Sequence, residues 1–296
     1  MYVRPKKALG QHFLHDSAIA RRIVQALLSH WPLPMDKAEA LLAAEEGTVA
    51  AEEAGVSCVD ADTCSLWPVV EVGPGTGVLT ALLLQEPGLN YHAVELDREA
   101  VEFLHKTHPQ LGERLLLGDF LKLPTNTFPE RFALIGNFPY NISSQIFFRV
   151  LDLKDRIPLV VGMLQKEVAE RFCSPPGNRA YGILSVLLQT WYRPEYLFSV
   201  APGAFTPPPK VQSGVIRLTR NNRTALDCPE DLYLKVIKTA FNQRRKMLSN
   251  SLKPLLKDLP RNGAQQDNTS IDGLHRRPEQ LSVEDFIALT TQIATL

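Results

Sequence analysis

Apolar residues along this chain change their period several times. Ile19, Ile23, Val24, Leu27 and Leu28 recur at helical spacing behind Asp16 and Ser17, either of which can cap a helix. From Pro68 onward, short apolar runs alternate with helical stretches. The runs are VVEV (69–72), YHAVEL (91–96), RLLLGD (114–119), FALIG (132–136) and PLVVGML (158–164). Helices are expected around 78–84, 98–106 and 143–151. This alternation predicts an α/β fold built on a parallel, doubly wound sheet. Two further β-like runs, YLFSVAPGAF and SGVIRLT, have a Pro-rich connection between them and suit sheet-edge strands. Beyond about Arg220, helical spacing returns at Leu232, Val236, Ile237 and Ala240, and again at Leu248, Leu252 and Leu255. The closing LSVEDFIALTTQI opens on a capping-box pair, Ser282 and Asp285.

One stretch breaks the rhythm. Residues of about 36–65, between the first helix and the first strand of the alternation, are rich in Ala and Glu. From Asp36 to Asp62 there are eight acids against one lysine. The stretch carries no recognisable chemistry and reads as an insert. The expected organisation is therefore an α/β domain over residues 1–220, containing the insert, and a small helical domain over 221–296.

Composition adds little to this until it is taken by segment. With 296 residues, 45% of them hydrophobic, the chain can build a full core in one or two domains. Its formal net charge is zero, so no global field advertises a nucleic-acid partner. From Pro207 to the end, however, 14 Lys and Arg face 9 Asp and Glu, while the insert is strongly acidic. Cys58, Cys64, Cys173 and Cys228 form no CxxC pair, which argues against a zinc site or disulfide framework and fits a reducing compartment. The opening MYVRPKKALGQHFL has no apolar signal core, and no run reaches the length of a membrane span. A cytoplasmic protein with no metal and no membrane contact is the expectation.

Chemistry enters where the strands stop. EVGPGTGVLT follows the first strand, and glycines at 73, 75 and 77 let the backbone turn tightly and approach a ligand. The spacing is GxGxG, not the GxGxxG of dinucleotide binders. Ligands of such sheets lie beyond the carboxyl ends of the strands. Glu95 ends the next strand, where an acid can bind both hydroxyls of a ribose. Asp119 ends the third, where it either reaches an adenine amino group or simply caps the turn. Glu71, Glu95 and Asp119 together suit a ligand with a ribose, an adenine and a positive charge, which S-adenosylmethionine combines.

The fourth strand delivers LIGNFPYNIS, Leu134 to Ser143. Asn137 and Pro139 alone would read as turn residues. Beside a cofactor loop they suit a weak nucleophile, the exocyclic N6 of adenine, whose lone pair is delocalised into the ring. The Asn137 carbonyl and a neighbouring backbone carbonyl can accept its two N–H bonds, and fixed dipoles stabilise the charge that grows on nitrogen during transfer. Pro139 stiffens the backbone, and Tyr140 offers a face for the base, worth roughly 1–3 kcal/mol.

These motifs, together with KKALGQHFLHD, VELD, VAPGAFTPPPKVQSGV and AFNQRRKMLSNSL, resemble the ribosomal RNA adenine dimethylases over nearly the whole chain. The resemblance implies a Rossmann-like class I methyltransferase sheet with a small C-terminal helical domain that binds RNA. It implies S-adenosylmethionine as cofactor, with contacts at His12, Leu14, Gly73, Glu95, Asp119 and Asn137. It assigns catalysis to Asn137 and Pro139, with Tyr140 and Phe205 sandwiching the target adenine. The implied substrate is two adjacent adenosines near the 3′ end of small-subunit ribosomal RNA in a pre-ribosomal particle, met by a monomer. Gln243, Arg244, Arg245 and Lys246, near the end of the helix expected from Glu230, are either a phosphate-contacting face or a helix C-terminus favoured by its dipole. A DNA adenine-N6 methyltransferase and a non-catalytic ribosome-assembly factor are the alternatives.

Overall fold

The computed structural model describes residues 3–30, 68–258 and 271–296. The insert of about 36–65, with Cys58 and Cys64, lies outside the described residues. In chain order, β1 (Phe13–Leu14) leads into α1 (Ser17–Leu28), then β2 (Val69–Val72), α2 (Val78–Leu83), β3 (Tyr91–Glu95) and α3 (Arg98–Thr107). Next come β4 (Leu115–Leu117), β5 (Ala133–Asn137), α4 (Ser143–Asp152), β6 (Leu159–Gln165), α5 (Lys166–Cys173) and α6 (Ile183–Trp191). The chain continues through β7 (Tyr192–Val200), β8 (Phe205–Thr206) and β9 (Ser213–Arg220). It closes with α7 (Glu230–Asn242), α8 (Leu248–Ser251), α9 (Lys253–Asp258) and α10 (Val283–Ala294).

The described residues fall into two compact units. The first holds those up to Asn137 with Arg156–Gly162 and Ala204–Pro208; the second holds Phe138–Asp155, Met163–Gly203 and Pro209–Leu296. In the first, β4, β3, β2 and β5 lie side by side in that order, all parallel, with Val70 facing His92 on one side and Leu134 on the other. All four residues of β2 are buried, as a central parallel strand covered on both faces requires. Asp16 caps α1 by accepting from the amides of Ala18 and Ile19, an arrangement worth about 1 kcal/mol. The helix then buries Ala20, Ile23, Val24 and Leu27. Ahead of β5, the Arg156 guanidinium donates to the carbonyls of Thr125, Phe128, Pro129 and Glu130, pinning the connection.

In the second unit β7 and β9 form an antiparallel ladder, with an irregularity between Tyr196 and Phe198. Pro194, which has no amide hydrogen, is tolerated in β7 because that strand stands at the end of the strand order. Two helices absent from the sequence reading, α5 and α6, precede this ladder. Seven of the nine residues of α6 are buried, so it shows no polar face and hence no helical periodicity. Its last turn runs straight into β7, since the Tyr192 amide still donates to the Leu188 carbonyl.

The C-terminal helices share a core of Tyr233, Val236, Ile237, Ala240, Leu248, Leu252, Phe286, Leu289 and Ile293. At the start of α10 the box expected from the sequence is complete. The Asp285 amide donates to Ser282 Oγ at 3.1 Å, and the Ser282 amide donates to Asp285 Oδ2 at 2.9 Å. Helix α7 starts at Glu230 and ends at Asn242 with Gln243 as its C-cap, so Gln243–Lys246 stand at the end of the helix, where the sequence put them.

Candidate active site

The glycine turn after β2 is built against two neighbours. Gly73 and Gly75 both have positive φ, 71° and 58°, where a side chain would be strained. A Cβ on Gly75 would also lie 2.9 Å from the Phe13 ring, so the turn passes directly beneath β1. The Gly73 amide donates to the Val94 carbonyl, and the Gly75 amide donates to Glu95 Oε2 at 2.9 Å. Glu95 Oε1 accepts from the Asp97 amide at 2.8 Å. One buried carboxylate thus ties the glycine turn to the end of β3. Burial raises the carboxyl above its ordinary value, opposed by hydrogen bonds from the amides of Asp97, Gly75 and Leu96.

A pocket opens here, lined by Phe13, Leu14, Glu71, Gly73, Gly75 and Asn137 among others. Glu71 is engaged beneath the turn: its Oε2 accepts from Tyr91 Oη at 2.5 Å and Thr80 Oγ1 at 2.8 Å. Burial pushes this carboxyl up to about 7, against those two hydrogen bonds. Near neutral pH Glu71 is therefore only partly ionised. Asp119 acts as a turn cap, accepting from the Leu121 amide at 3.0 Å, with Lys122 3.6 Å from its other oxygen.

The N-terminal segment lies over this region. Lys6 pairs with the buried Asp97 at 2.5 Å, and Gln11 donates to the same carboxylate at 3.1 Å. His12 offers two groups: its ring Nδ1 meets the Pro207 carbonyl at 2.8 Å, and its own carbonyl accepts from Asn137 Nδ2 at 2.8 Å. Leu14 is buried and pairs in register with Phe205 across the β1–β8 contact. The Phe205 ring is itself only 2% exposed.

Asn137 closes the first unit, and the rest of the loop belongs to the second. There the Phe138 amide donates to the Met163 carbonyl, the Ile142 amide to the Pro139 carbonyl, and Ser143 Oγ to the Tyr140 carbonyl. Tyr140 is half-buried, and its hydroxyl lies 2.5 Å from Ser213 Oγ. Burial raises the phenol above its ordinary value, so at neutral pH it offers a ring and a protonated hydroxyl.

Sequence reasoning singled out Gly73, Glu95 and Asn137, and these meet around one turn with His12 and Leu14. It missed the roles of Lys6, Gln11 and Asp97, although all three lie in quoted motifs, because a partner roughly ninety residues away leaves no local trace. It also passed over Leu96 and Leu117, large apolar residues exposed at the ends of β3 and β4.

The residues present fit an adenosyl ligand: a glycine cradle that a Cβ would fill, a buried carboxylate at the end of a strand and an apolar edge. The fold and this site define a class I S-adenosylmethionine-dependent methyltransferase. The chain belongs to the ribosomal RNA adenine dimethylase family, whose model matches residues 3–294. It is 50% identical over 290 residues to ribosomal RNA small subunit methyltransferase A of Parabacteroides distasonis, covering 97% of this chain and 93% of that one. To the protein of the same name from Porphyromonas gingivalis it is 48% identical, covering 98% of each. Among solved structures, a dimethyladenosine transferase from Plasmodium falciparum has a TM-score of 0.64 at 24% identity, covering 77% of this chain and 90% of that one. A 23S rRNA methyltransferase has a TM-score of 0.59 at 22% identity, covering 96% and 100%. The DNA-methyltransferase and non-catalytic alternatives are thereby set aside. Among the described residues no helix is long and apolar enough to cross a membrane, and no cluster of potential metal ligands occurs.

Proposed function

We propose that this enzyme dimethylates N6 of two adjacent adenosines near the 3′ end of small-subunit ribosomal RNA, within a pre-ribosomal particle. The observation that carries the reading is the hydrogen bond from Asn137 Nδ2 to the His12 carbonyl. That bond commits the donor half of the amide to the protein and leaves Oδ1 to accept a proton of the target amine. S-adenosylmethionine, when bound, supplies an electrophilic methyl on a sulfonium.

The chain's own residues do the rest. Glu95, with Gly73, His12 and Leu14, holds the adenosyl group, and Leu96 and Leu117 flank its base. Asn137 Oδ1 and the Phe138 carbonyl accept the two N–H bonds of the target amine and bias its lone pair toward the methyl. As nitrogen gains charge, these fixed dipoles stabilise it. Tyr140 stacks on the target base, and Phe205 gives a second face once the loop bearing it is displaced by substrate. No general base is needed, because a protonated aryl amine loses its proton readily to water. Helices α7–α10 bind RNA, with Arg245 and Lys246 exposed for phosphate contact. Asp119 serves the adenine amino group of the cofactor only through its turn. The test is transfer of labelled methyl groups to small subunits lacking the modification, followed by mapping. Label appearing elsewhere, or only on free DNA, would overturn the reading.

A further inference from the structure

Ser213 is a wholly buried hydroxyl that the chemistry above does not use. It opens β9, and its Oγ meets the Tyr140 hydroxyl at 2.5 Å. Three contacts fix where that hydroxyl stands. The preceding carbonyl, of Gln212, accepts from the Lys166 amide at 3.0 Å. Ser213 itself pairs with Val200 in the β7–β9 ladder. The following residue, Gly214, is packed so closely that a Cβ would lie 2.8 Å from Ala169 Cβ and from Tyr196 Cε2. The start of β9 therefore cannot slide.

At its other end Tyr140 is fixed as well, because its carbonyl accepts from Ser143 Oγ at 3.0 Å. A tyrosine held only through its backbone would keep rotational freedom about its side-chain bonds. A second anchor at the phenol oxygen removes that freedom and presets the plane of the ring. A base that stacks on a preset plane loses less entropy on binding and arrives with its amine already aligned.

We propose that Ser213 is a positioning residue for methyl transfer: it fixes the plane of the Tyr140 ring against which the target adenine stacks. This rests on the assignment of Tyr140 to the target base. The role is distinct from catalysis, since Ser213 touches Tyr140 and not the reacting atoms. It predicts that Ser213 and Tyr140 act as one unit.

The experiment is a double-mutant cycle of Ser213→Ala and Tyr140→Phe, read by single-turnover methyl transfer to small subunits lacking the modification. Affinity for S-adenosylmethionine and thermal midpoint are measured on the same four proteins. Each single change is expected to lower the transfer rate roughly ten- to a hundredfold, because each removes one side of the same bond. The double variant should be no slower than the slower single, with cofactor affinity within about twofold throughout. A parent-like rate in Ser213→Ala, or losses that multiply in the double variant, would overturn the proposal. Should Ser213→Ala not fold, Tyr140→Phe alone decides, since a parent-like rate there shows that the hydroxyl pair is dispensable. Tyr140→Leu separates this from the stacking assignment. Parent-like transfer by that variant removes Tyr140 from the base altogether, whereas a large loss beside a normal Ser213→Ala rejects only the positioning role.

Discussion

The side-chain nitrogen of Asn137 donates to the main-chain oxygen of His12 across 2.8 Å, joining groups 125 positions apart. A backbone carbonyl cannot donate in return, so the bond sets which end of the amide faces the target. Asn137→Ala should therefore lower single-turnover transfer by about 10²–10³-fold, the scale for losing one preorganised dipole. RNA affinity should change little, because the lost interaction strengthens mainly in the transition state. Asn137→Asp should fare no better, since its carboxylate would confront the His12 carbonyl without a hydrogen between them. Rates within a few-fold of the parent for either variant would remove Asn137 from the reaction.

Glu95 supports the glycine turn and, in the proposed site, the ribose. Replacing it with Ala leaves the amides of Gly75 and Asp97 without their acceptor, at about 1–3 kcal/mol each if they stay dry. Calorimetry is expected to show much weaker binding of S-adenosylmethionine, and unfolding a lower midpoint. Glu95→Gln, which can still accept from one amide, should fall between. Unchanged affinity in both variants would place the ribose elsewhere.

Glu71 makes stability depend on pH. Its folded value, about 7, stands above the ordinary 4.5, so the folded state holds this proton more tightly than the unfolded chain does. The resulting stabilisation is fully present below about pH 4.5 and is lost as pH rises through 7. Two to three pH units of displacement correspond to an effect on the order of 3 kcal/mol. Glu71→Gln keeps an acceptor for Tyr91 and Thr80 but cannot ionise. Urea unfolding at about pH 5 and pH 8 should show the variant gaining on the parent at the higher value. Parallel stability curves would mean that Glu71 titrates normally.

The basic residues after α7 are not equivalent. Arg244 donates to the Asn178 carbonyl at 3.3 Å and lies 4.0 Å from the Glu279 carboxylate, so it has structural work. Arg245 and Lys246 are exposed. Changing both to Ala should weaken binding to small subunits and flatten log affinity against log salt by close to two phosphate contacts, a slope change of about 1.5–2. Cofactor affinity and thermal midpoint should stay put. Arg244→Ala should instead cost stability. A salt slope unaltered by the double change would direct the search for the RNA face to Arg4 and Lys7.

Much of this protein was legible in its sequence because the informative signals are local. The strand at 69–72 has the bounds that its apolar run predicts, and the Ser282–Asp285 box closes as its spacing requires. The glycine turn, Glu95 and Asn137 could be picked out because each stands where a strand ends, and strand ends share one edge of a parallel sheet. Helix α6 was invisible for the opposite reason: with nearly every residue buried, it offers no alternation of polar and apolar positions to read.

What the sequence determined by itself is the period of each segment and the residue types at its ends, since backbone geometry repeats over two or 3.6 residues. Only the tertiary structure decided which groups meet across long stretches of chain. It gave Asn137 its orientation through His12, turned Glu71 from a free charge into a buried hydrogen-bonded acid, bound Lys6 to Asp97, and set Ser213 against Tyr140. Those pairings depend on distances between elements, and no local period encodes a distance of that kind.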